Sequence, residues 1–202
     1  MASENDREQL RALLCRHSVR FGEFKLVSGQ TSSVYVDAKL TTCRAAAMPL
    51  VGRLFLKKLR DRGWRAAAVG GLTLGADPIA MAIARESCGT EQQVDAFVIR
   101  KESKKHGTMK FIEGLPNPGG MPVVIIDDVC TTGGSTITAI ERTREAGMQV
   151  LGAICLVDRE MGAAKNIEAL NCPFEWIFTL TELKEQGDAQ PDPAYTGIGS
   201  DR

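Results

Sequence analysis

Two adjacent carboxylates followed by a glycine-containing turn are the residues of this chain best placed to do chemistry. In Val123-Val-Ile-Ile-Asp-Asp-Val-Cys-Thr-Thr-Gly-Gly-Ser-Thr136 an apolar run leads into Asp127 and Asp128. It then passes through Val129 and Cys130 into Thr131, Thr132, Gly133, Gly134, Ser135 and Thr136. Neighbouring carboxylates at the end of a buried strand are costly unless solvated or paired with donors. Sugar hydroxyls, or a magnesium-bound ligand, suit them. Gly133 and Gly134 let the backbone approach an anion closely in conformations closed to other residues. The Thr and Ser hydroxyls add donors. A helix starting here points free N–H groups and the positive end of its dipole at the same place. The pattern is a phosphate cradle beside a diol binder. An ordinary capped strand-to-helix turn explains the glycines and hydroxyls, but not the acids before them. No Gly-Lys-Ser/Thr follows and Gly-x-Gly-x-x-Gly is absent, which excludes the two commonest nucleotide loops.

The segment resembles the phosphoribosyl-pyrophosphate signature of the type I phosphoribosyltransferases. The resemblance implies that Asp127 and Asp128 bind the ribose hydroxyls and that Val129, Cys130, Thr131, Thr132, Gly133, Gly134 and Ser135 hold the 5′-phosphate. A second stretch, Ile99-Arg-Lys-Glu-Ser-Lys-Lys-His-Gly107, gathers Arg100, Lys101, Lys104, Lys105 and His106 within seven residues. A lone charge run is usually a solvated loop. Cations that close over a polyphosphate leaving group would instead stabilise its developing charge, and a loop suits that task because it must open again. The stretch is similar to a motif of the orotate phosphoribosyltransferases. That likeness implies pyrophosphate binding by Arg100, Lys101, Lys104 and His106, with Lys104 catalytic beside Asp127 and Asp128. It also implies a homodimer in which this loop reaches the neighbouring subunit.

Phe21 to Asp37 resembles the segment that covers the orotate ring in the same family, and Tyr35 falls where an aromatic is common. A half-buried strand tyrosine explains Tyr35 equally well. Arg159, in Leu156-Val-Asp-Arg159, matches the family's partner for the orotate carboxylate, a suitable role for a planar guanidinium. A surface ion pair with Asp158 or Glu160 is the plainer alternative. Thr131 is implied to touch orotate as well. The likeness runs from about Phe21 to Leu183 and implies orotate phosphoribosyltransfer, with magnesium carried mainly through substrate oxygens and no direct protein site for it. The chain departs from the pattern in two places. Val27 and the loop around Leu74 stand where many members carry lysines. Gly70, Gly71 and Thr73 could offer backbone N–H groups there instead.

Positioning these residues needs strands that end on one edge of a sheet. The sequence predicts a first helix with Leu10, Leu13, Leu14 and His17 on one side, a hairpin over Phe21 to Asp37, and a helix after Pro49 that stops at Gly63. Apolar runs at 66–71, 94–99, 123–126, 150–157 and 174–180 predict strands. Helices are predicted from Asp77, as N-cap, to about Gly89, over 136–145 and near 163–170. Alternation of apolar strands and helices predicts an α/β fold, a mostly parallel sheet flanked by helices. The family likeness adds a small N-terminal hood over about 1–60, a core over about 61–187 and a poorly ordered tail at 188–202, all in a single domain. Ligands of such sheets sit beyond the carboxyl ends of the strands.

The totals agree with an intracellular enzyme. The 202 residues carry 25 basic and 25 acidic side chains, so nothing global attracts nucleic acid or a membrane surface. A phosphoribosyl-pyrophosphate sensor that binds nucleic acid should show a basic face or an added module, and neither is visible. A transferase acting on a purine or on uracil stays open. The apolar runs are too short to span a bilayer, and the polar start lacks a signal-peptide pattern, so a cytoplasmic location is expected. Cys15, Cys43, Cys88, Cys130, Cys155 and Cys172 are scattered with no C-x-x-C pair, which predicts buried free thiols.

Overall fold

The chain begins with α1 (Glu4–His17), capped by Ser3, whose hydroxyl accepts from the Asp6 N–H while the Asp6 carboxylate returns to the Ser3 N–H. This reciprocal cap satisfies two backbone donors that a helix start leaves open. The hairpin β1 (Val19–Lys25) and β2 (Thr31–Val36) follows as an antiparallel two-stranded sheet. The short α2 (Lys39–Thr42) and long α3 (Met48–Asp61) come next, and Gly63 ends the latter at φ +66°. The remaining elements alternate: β3 (Ala68–Leu72), α4 (Asp77–Ser87), β4 (Asp95–Ile99), β5 (Ile112–Glu113), β6 (Pro122–Cys130), α5 (Gly134–Glu145), β7 (Gln149–Asp158), α6 (Ala163–Glu168), β8 (Phe174–Thr179) and α7 (Leu180–Lys184). The structure, a computed structural model, describes residues 3–25, 31–102 and 111–185. The expected tail at 188–202 lies outside the described residues.

The main sheet has the order β5-β4-β3-β6-β7-β8, and every pairing is parallel except the edge pair β4–β5. The α/β fold predicted from the sequence is the fold found. Helices cover both faces, so strand residues alternate between two cores rather than between core and water. On β6, Val124 and Ile126 join the core beneath α1, α3 and α4. Val123 and Ile125 join the other, beneath α5 and α6. Leu10, Leu14, Val51, Phe55 and Leu59 of the N-terminal helices belong to the first of these cores. The hairpin alone forms its own sheet.

Several local expectations change. The strand carrying the acid pair does not end at Ile126. Its ladder with β7 runs on through Asp127↔Cys155, Val129↔Val157 and Cys130↔Asp158, so Asp127 and Asp128 are strand residues. Asp77 is the first helical residue of α4 rather than its cap, and the helix stops at Ser87. The Asp77 carboxylate instead accepts the Thr73 hydroxyl at 2.6 Å, closing the turn between β3 and α4. Gly70 and Gly71 lie within β3, and the Thr73 N–H donates to the Ile99 carbonyl. These groups serve the sheet. A β-carbon on Gly70 or Gly71 would run into the carbonyl oxygens of Phe97 or Ile126. All six cysteines are free, but Cys43 and Cys88 are exposed.

Candidate active site

Because β3, β4, β6 and β7 are parallel, their carboxyl ends share one edge, and the turns leaving them form a cleft there. It is lined by Lys39, Leu72, Thr73, Leu74, Gly75, Lys101, Asp127, Asp128 and Ser135, with a volume of about 260 Å³. A larger cleft of about 450 Å³, beside Arg60, Trp64, Arg65 and Gln92, lies among the residues that lead into β3 and β4. It is therefore at the opposite edge of the sheet, away from the carboxylates.

Within the acid pair the two side chains point to opposite faces of β6, as strand geometry requires. Asp127 turns toward α5. Its Oδ2 accepts the Ser135 and Thr136 hydroxyls, each at 2.6 Å, and its Oδ1 accepts the Asp128 N–H at 3.0 Å. The Cys130 thiol lies 3.1 Å from the Thr136 hydroxyl in the same buried group. Asp128 turns toward the hairpin side. Its Oδ1 accepts the Val129 N–H at 2.9 Å, and its Oδ2 is 3.5 Å from Lys39 Nζ. Gly75 makes room for this carboxylate, since a β-carbon there would lie 2.6 Å from Asp128 Cγ.

Burial pushes the Asp127 carboxyl up to about 6, against the pull of its Ser135 and Thr136 hydrogen bonds. The folded protein therefore holds this proton more tightly than the unfolded chain does. The stabilisation from that proton is full below about 4 and is lost as pH rises through about 6. Asp127→Asn cannot ionise. Its melting temperature relative to the natural protein is expected to climb between about pH 4 and 6 and then level off. A difference that stays flat across that window would show that Asp127 titrates normally.

The loop after β6 is built for close approach. Gly133 sits at φ +84°, a left-handed conformation that favours glycine. Gly134 has neither a positive φ nor any atom within 4 Å of where its β-carbon would stand, so it leaves open space at the start of α5. Thr132 is exposed and Thr131 half-buried. The Asn166 amide holds the loop by donating to the Thr132 carbonyl at 2.9 Å. The first turn of α5 has no side-chain cap, so its opening N–H groups are left for a ligand, a suitable anion seat.

The other predicted residues divide. Lys101 is exposed and lines the cleft. Arg100 leans toward Glu113 at 3.5 Å. The Arg142 guanidinium of α5, stacked on Phe111 at 4.1 Å, donates to the Arg100 and Lys101 carbonyls. Lys104 and His106 lie outside the described residues, as does Val27. Arg159 leaves the end of β7, its N–H donating to the Cys130 carbonyl and its Nη2 to the Val34 carbonyl at 3.3 Å. That bond brings it to the strand carrying Tyr35, whose ring is 44% exposed and 5.6 Å from that of Phe24. Neither Arg159 nor Tyr35 is among the residues that line the cleft. Of the proposed ion-pair partners of Arg159, Asp158 accepts the Glu160 N–H and Glu160 accepts from Thr181.

Lys39 was missed. Its only signal in the sequence is its place two residues beyond Asp37, just after the hairpin. Among the described residues no cluster of three or more His, Cys, Asp or Glu could hold a metal ion, and no helix is long and apolar enough to cross a membrane.

Comparison with known proteins follows the same lines. The phosphoribosyl transferase domain model matches residues 44–186. The orotate phosphoribosyltransferase of Thermosynechococcus vestitus is 45% identical over 178 residues, covering 88% of this chain and 93% of that protein. A crystal structure of the Mycobacterium tuberculosis orotate phosphoribosyltransferase superposes with a TM-score of 0.78 at 39% identity, covering 88% of this chain and 98% of that one. Another, in complex with 5-phospho-alpha-D-ribosyl 1-diphosphate, gives 0.74 at 36% identity over 89% and 99% of the two chains. With the likeness running through nearly the whole length of these relatives, this chain belongs to the orotate phosphoribosyltransferase family.

Proposed function

We infer that the protein transfers a phosphoribosyl group from phosphoribosyl pyrophosphate to orotate, giving orotidine 5′-phosphate and pyrophosphate for pyrimidine biosynthesis. The observation that carries this reading is the meeting, in one cleft, of the Asp127–Asp128 pair, the anion seat at the start of α5 and Lys101. An orotate ring nitrogen attacks C1 of the donor with inversion, and the bond to pyrophosphate breaks. Bond breaking leads, so positive charge gathers on the ribose. Asp127 and Asp128 hold its hydroxyls and favour that charge. Thr131, Thr132 and Ser135, with the N–H groups around Gly133 and Gly134, hold the 5′-phosphate, and Val129 and Cys130 carry the strand to it. Arg100, Lys101, Lys104 and His106 neutralise the leaving pyrophosphate. Thr131, Tyr35 and Arg159 orient orotate. No protein nucleophile is needed.

Magnesium fits this reading. The lining offers hard oxygens, from Asp127, Asp128, Thr73 and Ser135, and this ion completes its shell from substrate and water when a protein gives it one or two carboxylates. Held mainly through substrate oxygens, with the Asp127 and Asp128 carboxylates as neighbouring acidic oxygens, it would supply positive charge to the pyrophosphate. The reading also includes a single domain with an N-terminal hood over about 1–60, a cytoplasmic location, and a homodimer sharing the Lys104–His106 loop.

The assay is direct: incubate the protein with phosphoribosyl pyrophosphate, magnesium and orotate, and follow orotate absorbance. Folded protein that consumes no orotate would refute the reading, and consumption of uracil or a purine base instead would move it to another acceptor. Arg159→Ala is expected to raise KM for orotate roughly 10- to 100-fold, the worth of one charge-assisted pair. An unaltered KM would remove Arg159 from the acceptor site.

A further inference from the structure

We propose that Lys39 is a pyrophosphate ligand, a second source of positive charge facing the leaving group; this rests on reading the cleft as a phosphoribosyl-pyrophosphate site. Lys39 opens α2, directly after the hairpin, and is held at both ends. Its N–H donates to Asp37 Oδ1 at 3.1 Å, and its Nζ lies 2.9 Å from the same oxygen. The ammonium also reaches 3.5 Å from Asp128 Oδ2. So an element outside the main sheet places a cation against the acid pair.

Three features separate this from an incidental surface pair. First, the Lys39 side chain is 45% exposed and lines the same cleft as Lys101 and the Thr73–Gly75 turn. A ligand there meets the ammonium directly. Second, the bond to Asp37 is short while that to Asp128 is beyond ideal hydrogen-bond length. Ribose hydroxyls that engage Asp128 would compete with this weaker contact, and the ammonium could then turn to an incoming oxygen without leaving Asp37. Third, the lining carries Asp127 and Asp128 against Lys39 and Lys101, so a polyanionic donor needs each cation the cleft has. Lys39 brings its ammonium to this cleft from α2, an element outside the main sheet. Burial alone would push the ammonium down, but its bonds to Asp37 and Asp128 outweigh that and hold it above the usual lysine range.

The test uses the full-length protein, with Lys39→Met and Lys39→Arg. Magnesium pyrophosphate binding is measured by calorimetry, and KM for phosphoribosyl pyrophosphate and for orotate by steady-state kinetics. Lys39→Met is expected to weaken pyrophosphate binding and raise the donor KM about 10-fold or more, with the orotate KM within about twofold. Lys39→Arg should recover most of the loss. The Lys39→Met effect on pyrophosphate should persist in an Asp128→Asn background. Loss of the effect in that background would show that Lys39 acts only through Asp128 and would overturn the proposal. Unchanged pyrophosphate affinity in folded Lys39→Met would also overturn it. If the natural protein binds pyrophosphate in a Lys39-dependent way yet consumes no orotate, the acceptor reading fails and the role of Lys39 stands. Absence of pyrophosphate binding by the natural protein overturns both.

Discussion

Asp128→Asn is expected to lower kcat/KM for phosphoribosyl pyrophosphate by about 100-fold or more while the protein still folds. The side chain is 14% exposed and sits at the cleft wall. An amide keeps its shape, and the amide oxygen can still accept the Val129 N–H. What disappears is the charge. Hydrogen bonds to charged groups contribute about 1.5–3 kcal/mol each, and in the proposed reaction this carboxylate both binds a ribose hydroxyl and steadies the developing cation, so more than one such interaction would be lost. About 2.7 kcal/mol corresponds to a factor of about 100. Steady-state kinetics with a parallel melting curve checks this. A loss of less than about threefold, in protein that melts normally, would remove Asp128 from the reaction.

A different kind of large effect is expected at Gly71, where the cost falls on folding. A β-carbon there would press into the Ile126 carbonyl and lie 2.8 Å from the Ala76 β-carbon. Both obstacles are tied to backbone, one in β6 and one just ahead of α4, so neither can swing aside. Overpacking of this kind costs about 1–3 kcal/mol or more. For a chain of this size each kcal/mol moves the melting temperature by about 2–4 °C. Gly71→Ala should therefore melt on the order of 5–10 °C lower, as followed by calorimetry or circular dichroism. A shift under about 1 °C would mean that β3 and β6 can separate freely. Gly75→Ala makes an instructive contrast. Its obstacle is the Asp128 carboxylate, a side chain of the cleft, so it should disturb catalysis more than stability.

The sheet was legible in the sequence because its strands are apolar runs buried on both faces. What the pattern could not give was where β6 ends. Asp127 looks like a loop residue, yet Ser135 and Thr136 satisfy its carboxylate from across the turn, so the backbone can stay in the ladder for three more residues. β5 is two residues long, too short for any periodicity to register. Asp77 before Pro78 has the composition of a cap, but Thr73 takes its carboxylate, a contact set by the turn rather than by local preference. Gly70 and Gly71 looked like ligand-facing glycines, whereas the close approach they permit is that of neighbouring strands. In the candidate site, the acid pair and the Gly133 turn were visible as contiguous residues. Lys39 was not, because its meaning depends on a hairpin that carries it 89 positions away in sequence to Asp128.

The Ser135 hydroxyl has a single hydrogen, and here it is given to Asp127. The same side chain stands in the anion seat. A phosphate that claims this hydrogen strips one donor from the carboxylate and leaves Asp127 with an acceptor position that a sugar hydroxyl can fill. The two halves of a sugar phosphate are then thermodynamically linked through one proton. Such linkage is reciprocal: inorganic phosphate should tighten the binding of a free diol by the same factor by which the diol tightens phosphate. A molecule offering both groups would gain a coupling energy that neither fragment measures alone, and Ser135→Ala would abolish that coupling even if each fragment still bound.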